Sequence, residues 1–176
     1  MTPFNPDIFK MGYIILYKRG AGFDIFGKGI EAKQRMAGFS PEDSQFTHCE
    51  ISGGGEHAIN ISPPLSKLVK ITEAHKNRYV KLMRYKNDEY ESYKRYKVAY
   101  FSASLCNKGY DFPGIFSFLF KWIKQNNRLY FCSEGAAWAL RMCFPIALGP
   151  KDNSQIMPAH FLGEEFSVVW EGEITA

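Results

Sequence analysis

Apolar positions along the chain fall in short runs whose period changes. Gly12 to Tyr17 (GYIILY) is an apolar run closed by Lys18-Arg19-Gly20, which predicts a strand. From Phe23 to Met36, Ile25, Gly29, Ala32 and Met36 recur at helical spacing and predict a helix, followed by a loop from Gly38 to Ser44. Phe46 to Ser52 and Glu56 to Ser62 are β-type runs separated by Gly53-Gly54-Gly55, the strongest hairpin signal in the chain. Tyr79 to Tyr85 predicts another strand. Asp88 to about Leu105 predicts a helix with Tyr93, Tyr96, Tyr100 and Ala103 on one face. Pro113 suits the first turn of a helix reaching about Gln125, a further helix is bounded by Cys132 and Pro145, and Phe166 to Trp170 predicts a last strand. Strands and hairpins without regular βαβ alternation imply an α+β fold, a small antiparallel sheet flanked by helices. No repeat or linker divides the 176 residues, so a single domain spanning 1–176 is expected.

The hairpin makes a more specific prediction. With a three-residue glycine loop, Ser52 faces Glu56, Ile51 faces His57, Cys49 faces Ile59 and His48 faces Asn60. His48, Glu50 and Asn60 then share one face, and Asn60 can orient the His48 ring. An imidazole held in one tautomer is half of a nucleophilic site. Cys132 supplies the other half: in Tyr130-Phe131-Cys132-Ser133-Glu134-Gly135 an aromatic run gives way to an Ala-rich helix, which places the thiol at a helix N-terminus. The macrodipole and free N–H groups there favour a thiolate, and the Cys132 N–H is available as an oxyanion donor. Gly135, a poor helix former, points to close packing over this turn, by substrate or by the His48 strand.

Composition narrows the field. Aromatic residues make up 16%, which predicts an aromatic-rich core and excludes a disordered chain. Leu65 to Lys97 holds ten Lys or Arg against four Asp or Glu, a local +6 within a net +4; we read it as a solvated surface and expect no specific nucleic-acid partner. No apolar run reaches the roughly 18 residues of a membrane span; Ile115 to Ile123 comes nearest and Lys121 interrupts it. MTPFNPDIFK lacks the basic start and apolar stretch of a signal peptide, so a cytoplasmic protein is expected, released by lysis if phage-encoded. The four cysteines show no CxxC pairing; Cys49, Cys106 and Cys143 read as core filler. His48-Cys49-Glu50 is formally H-x-E, yet Phe131 and Gly135 stand where a zinc deaminase needs Pro and Cys, so no metal site is expected. Ser133 lacks the first glycine of a nucleophile elbow. His57, His75 and His160 have no ligand spacing and read as surface groups. Glu134 sits in a first helical turn, where a carboxylate suits the dipole.

Phe46-Thr47-His48-Cys49-Glu50-Ile51, the later Asn60, Tyr110-Asp111 and Tyr130-Phe131-Cys132-Ser133-Glu134 together resemble the circularly permuted, papain-like NlpC-type cysteine hydrolases. YiiX-like proteins and the lecithin:retinol acyltransferase group are relatives of this kind, and the histidine precedes the cysteine as in that permuted branch. The resemblance covers roughly Gly12 to Trp170. It implies Cys132 as nucleophile, His48 as general base and Asn60 as the third, orienting residue, with Tyr110, Tyr130 and Glu134 as candidate substrate contacts. Glu50 stands where many relatives have a small residue, and it competes with Asn60 as orienter or binds substrate. The implied reaction is cofactor-free amide hydrolysis, with peptidoglycan stem peptides the leading substrate. Acyl-lipid transfer or thioester hydrolysis, and a non-catalytic protein retaining the fold, are the alternatives.

Overall fold

A strand reading Ile14, Ile15, Leu16, Tyr17 has no polar position to give to solvent, so it must be covered on both faces. The computed structural model, which describes residues 4–20, 25–88, 92–111 and 129–175, places it there. β1 (Ile14–Lys18) lies inside one six-stranded antiparallel sheet with β2 (Phe46–Gly54), β3 (His57–Asn60), β4 (Lys67–Lys70), β5 (Tyr79–Tyr85) and β6 (Phe166–Glu173), in the order β4, β3, β2, β1, β5, β6. The α+β reading holds. On one face Ile14, Leu16, Cys49, Ile51 and Met83 meet α4 (Cys132–Arg141) through Ala136, Ala137, Ala139 and Leu140. On the other, Ile15, Tyr17, Val80, Leu82 and Trp170 are covered by Phe9 and by Ile71 of the one-turn α2 (Ile71–Ala74). The predicted helix from Pro113 to Gln125, and the apolar segment Ile115 to Ile123, lie outside the described residues.

Several expectations are corrected. The hairpin turns on Gly55 and Glu56, with Gly54 facing His57 and Gly53 the extra residue of a bulge; positive φ at Gly54 and Gly55 supplies the turn. Ile51 therefore faces Ile59 and Ser52 faces Ala58, two residues from the predicted register. A shift of two preserves parity, so His48, Glu50 and Asn60 keep a common face, but the register carries Asn60 towards Glu50 instead of His48. α1 (Ile25–Met36) buries Gly27, Ile30 and Gln34, while Ile25 and Met36 are exposed. The fully buried Gln34 decides that face. Its amide donates to the carbonyls of Ser44 and Phe46 at 2.8 and 3.0 Å and accepts from Ala159 N–H at 2.8 Å, tying α1 to the start of β2. In α3 (Ser92–Ala103) Tyr93, Tyr96 and Tyr100 are exposed, and Val98, Ala99 and Ser102 are buried.

Candidate active site

Cys132 opens α4. Phe131 holds the N-cap in extended conformation, and its apolar side chain cannot accept from the first-turn N–H groups, which leaves the electropositive helix end at the thiol. Gly135 lets this turn seat: a Cβ there would come within 2.6 Å of Ile61 Cδ1 and 3.1 Å of Leu105 Cδ1. The covering groups are thus the chain leaving β3 and the chain leaving α3, neither of the two expected from sequence. Ser133 is buried and its hydroxyl donates to the Ile156 carbonyl at 2.6 Å, a structural role.

The strand that faces this helix start is irregular beside the thiol. Tyr17 faces His48 but Lys18 faces Phe46, so Thr47 is the extra residue of a bulge, the device by which strands re-aim a side chain. The ladder to β3 ends at Ile51, which leaves β2 open on that side along His48 and Cys49. The Cys132 sulfur enters there. It receives hydrogen bonds from the Cys49 thiol and backbone N–H and interacts with the His48 ring; against the opposing effect of burial, these contacts hold Cys132 well below a thiol's ordinary 9.0. Cys49 is pushed up, by burial first and next by its hydrogen bond to Cys132 and the charge there. Cys49 is therefore core filler with a second role, as hydrogen-bond donor to the Cys132 sulfur.

His48 is half of a charge pair. Burial disfavours its imidazolium, but the Cys132 thiolate and the Glu50 carboxylate outweigh that and raise it from 6.5 to about 10. Glu50 is fully buried. Its Oε1 accepts from His48 Nε2 at 3.4 Å and from His75 Nε2 at 2.7 Å, and its Oε2 accepts from the Tyr17 hydroxyl at 2.8 Å. Burial alone would keep this carboxyl protonated; the two imidazoles bring it down from 4.5 to about 2. With Nε2 turned to Glu50, Nδ1 is the His48 nitrogen left for Cys132. Of the two candidate orienters, Glu50 is the one that contacts His48. Asn60 is buried with its Oδ1 unpartnered, which corrects its expected place as third residue.

Cys132, His48, Asn60 and Tyr110 line one cavity of about 280 Å³. Phe26, Ile30 and Pro63 give it an apolar wall, and His75 and Arg78 close the polar side. Tyr110 is buried beside both thiols, its hydroxyl pushed up by burial and by their charge. Tyr130 and Glu134 are not among its lining groups. Tyr130 packs on Trp138 at 5.7 Å between ring centroids and bridges to Tyr110, and Glu134 is buried in the first turn of α4, where its charge adds to the effect of burial in raising the Tyr130 hydroxyl. Sequence reasoning missed Tyr17, His75 and Arg78. His75, expected at the surface, is the C-cap of α2 and packs on Tyr17 at 4.1 Å; His160 is half-buried and accepts from the Met157 N–H at 2.9 Å, whereas His57 is exposed. No local pattern flags these residues, since α2 is one turn long and its histidine reaches Glu50 across the sheet. Among the described residues no group of three His, Cys, Asp or Glu side chains is arranged to hold a metal ion, and no helix is long and apolar enough to cross a membrane. No protein-family model and no curated protein matches the chain.

Proposed function

We propose that the protein is a cysteine hydrolase working through an acyl-enzyme, with Cys132 as nucleophile, His48 as acid and base, and Glu50 as the residue that orients His48. One observation carries the reading: a helix-start thiol meets an imidazole whose other ring nitrogen faces a buried carboxylate, and the pair opens on a cavity. The Cys132 thiolate attacks a carbonyl carbon, and the oxyanion forms beside the first-turn N–H groups of α4. Collapse expels the amine, which takes its proton from His48. Water then gives a proton to His48 and attacks the thioester, and Cys132 leaves as thiolate. Peptide amides, peptidoglycan stem peptides first among them, are the substrate class by resemblance. The apolar wall of Phe26, Ile30 and Pro63 favours a second reading, in which the acyl group is a lipid chain delivered as ester or thioester.

The test is to incubate the protein with peptidoglycan fragments, acyl thioesters and phospholipids and to seek by mass spectrometry an acyl group on Cys132. Cys132→Ala is expected to abolish both turnover and adduct. Full turnover in that variant would end the mechanism.

A further inference from the structure

The cavity holds two polar groups with no task in the thiol chemistry. Arg78 donates from Nη2 to the Lys18 carbonyl at 2.8 Å, while its Nε is buried with no hydrogen-bond partner, and among the described residues no carboxylate pairs with its guanidinium. Its charge opposes the burial that raises the Tyr17 hydroxyl. Asn60, 7% exposed, lines the same cavity with Oδ1 buried and unpartnered. A buried acceptor and a buried cationic donor left unsatisfied cost free energy unless a ligand supplies what is missing. Oδ1 lacks an N–H; the guanidinium lacks an anion, and its planar fork matches a carboxylate. Phe26 and Ile30 bound the cavity with apolar groups that ask for neither.

Resting on the hydrolase reading above, we infer that this cavity selects acyl groups amide-linked to an amino acid with a free carboxylate. Arg78 binds that carboxylate, and Asn60 accepts the hydrogen of the scissile amide N–H. The carboxylate then belongs to the leaving group, which departs as a free amino acid or a short peptide bearing its own carboxyl end. Esters and thioesters lack the N–H, and amidated peptides lack the anion. Arg78 and Asn60 are specificity residues here, and the reacting atoms remain those of Cys132, His48 and the substrate carbonyl.

Alkylation of Cys132 reads the anion preference without a substrate. The thiolate displaces iodide from iodoacetate or from iodoacetamide; the reagents differ in one carboxylate, and at pH 9 either labels any accessible thiol. The ratio of the two rates on Cys132 is expected to exceed that of a peptide thiol by about tenfold or more, the scale of a close ion pair at a part-buried site. Part of that preference belongs to the His48 imidazolium, so the deciding comparison is Arg78→Gln, expected to lower the ratio about fivefold, with Arg78→Lys retaining most of it. An unchanged ratio in folded Arg78→Gln overturns the inference. Should that variant not fold, protection of the unaltered protein decides: N-acetylglycine is expected to slow iodoacetamide labelling, and N-acetylglycinamide is not. Equal protection by the two overturns the carboxylate preference. Weaker protection by N-acetylglycine in Asn60→Leu is expected, and undiminished protection removes Asn60 from the assignment. Failure of the hydrolase reading shows elsewhere, as an iodoacetamide rate at pH 6 no higher than that of a peptide thiol, whichever way the ratio falls.

Discussion

Cys132 and His48 exchange a proton inside the protein. The thiol is held down by its bonds from Cys49 as well as by His48, and the imidazole is raised to about 10, so thiolate and imidazolium coexist across neutral pH. A free thiol loses its thiolate about tenfold per pH unit below a pKa of about 8.5. Alkylation of Cys132 by iodoacetamide is therefore expected to stay nearly level from pH 8 to pH 6, ending at least tenfold above a peptide thiol, and a tenfold fall per pH unit would contradict the ion pair. Because the Cys49 hydrogen bond is the largest influence lowering Cys132, Cys49→Ala is expected to move the midpoint of that profile upward, read from the same titration; an unmoved midpoint would make Cys49 mere filler. The helix-start thiol and the strand histidine were legible in sequence, since both are local features. The carboxylate that meets the histidine ring was only one of two candidates there. Glu50 is ionised in the core because His48 and His75 both face it, with the Tyr17 hydroxyl on its other oxygen; Tyr17 and His75 lie 33 and 25 residues away, and no local pattern announces them.

Among the elements, legibility followed amphipathic contrast. Tyr79–Tyr85 buries alternate residues over most of its length and was read with the bounds it has, whereas Lys67–Lys70, with Leu68 exposed and lysine at both ends, was read as no strand because an edge strand is made unattractive by such residues. The hairpin was found but its register missed, because three glycines permit either a three-residue loop or a two-residue turn with a bulge. Where α4 meets the sheet, packing overrides propensity. Gly135→Ala gains about 1 kcal/mol of helix propensity, but its new methyl would lie 2.6 Å from Cδ1 of the fully buried Ile61. Overpacking of this kind costs about 1–3 kcal/mol, so a net loss of stability is expected in urea unfolding. Ile61→Val deletes the offending Cδ1 and alone costs about 1 kcal/mol. The double variant is expected to be more stable than the sum of the two losses allows; simple additivity would show that Gly135 is not pressed by Ile61.

At the scale of the whole molecule the buried charges shape stability against pH. His48, raised from 6.5 to about 10, gives stability that is whole below pH 6.5 and lost as pH rises through about 10. Cys132, lowered from 9.0, gives stability present above pH 9 and lost as pH falls through its folded value. Between about 6.5 and 9 the two slopes cancel: the unfolded chain holds one proton on the thiol and the folded protein holds one on the imidazole. Glu50, brought from 4.5 to about 2, adds stability present above pH 4.5 and lost towards pH 2, on the order of 3 kcal/mol. Glu31, lowered by Arg19 and Arg35 against its own partial burial, adds to the same acid limb. Urea midpoints are thus expected to be level from pH 6.5 to 9, to fall on the alkaline side towards pH 10, to decline below pH 6.5 as the unfolded imidazole takes up its proton, and to fall more steeply below pH 4.5. Cys132→Ala removes the thiolate that raises His48 and is expected to flatten the alkaline limb. Glu50→Gln strands two imidazoles beside a neutral amide, costs about 3 kcal/mol at pH 7, and is expected to make the slope from pH 4.5 to 2.5 shallower without abolishing it, since Glu31 remains. An acid limb as steep in Glu50→Gln as in the unaltered protein would mean that Glu50 is not the buried carboxylate on which the sheet and the site both depend.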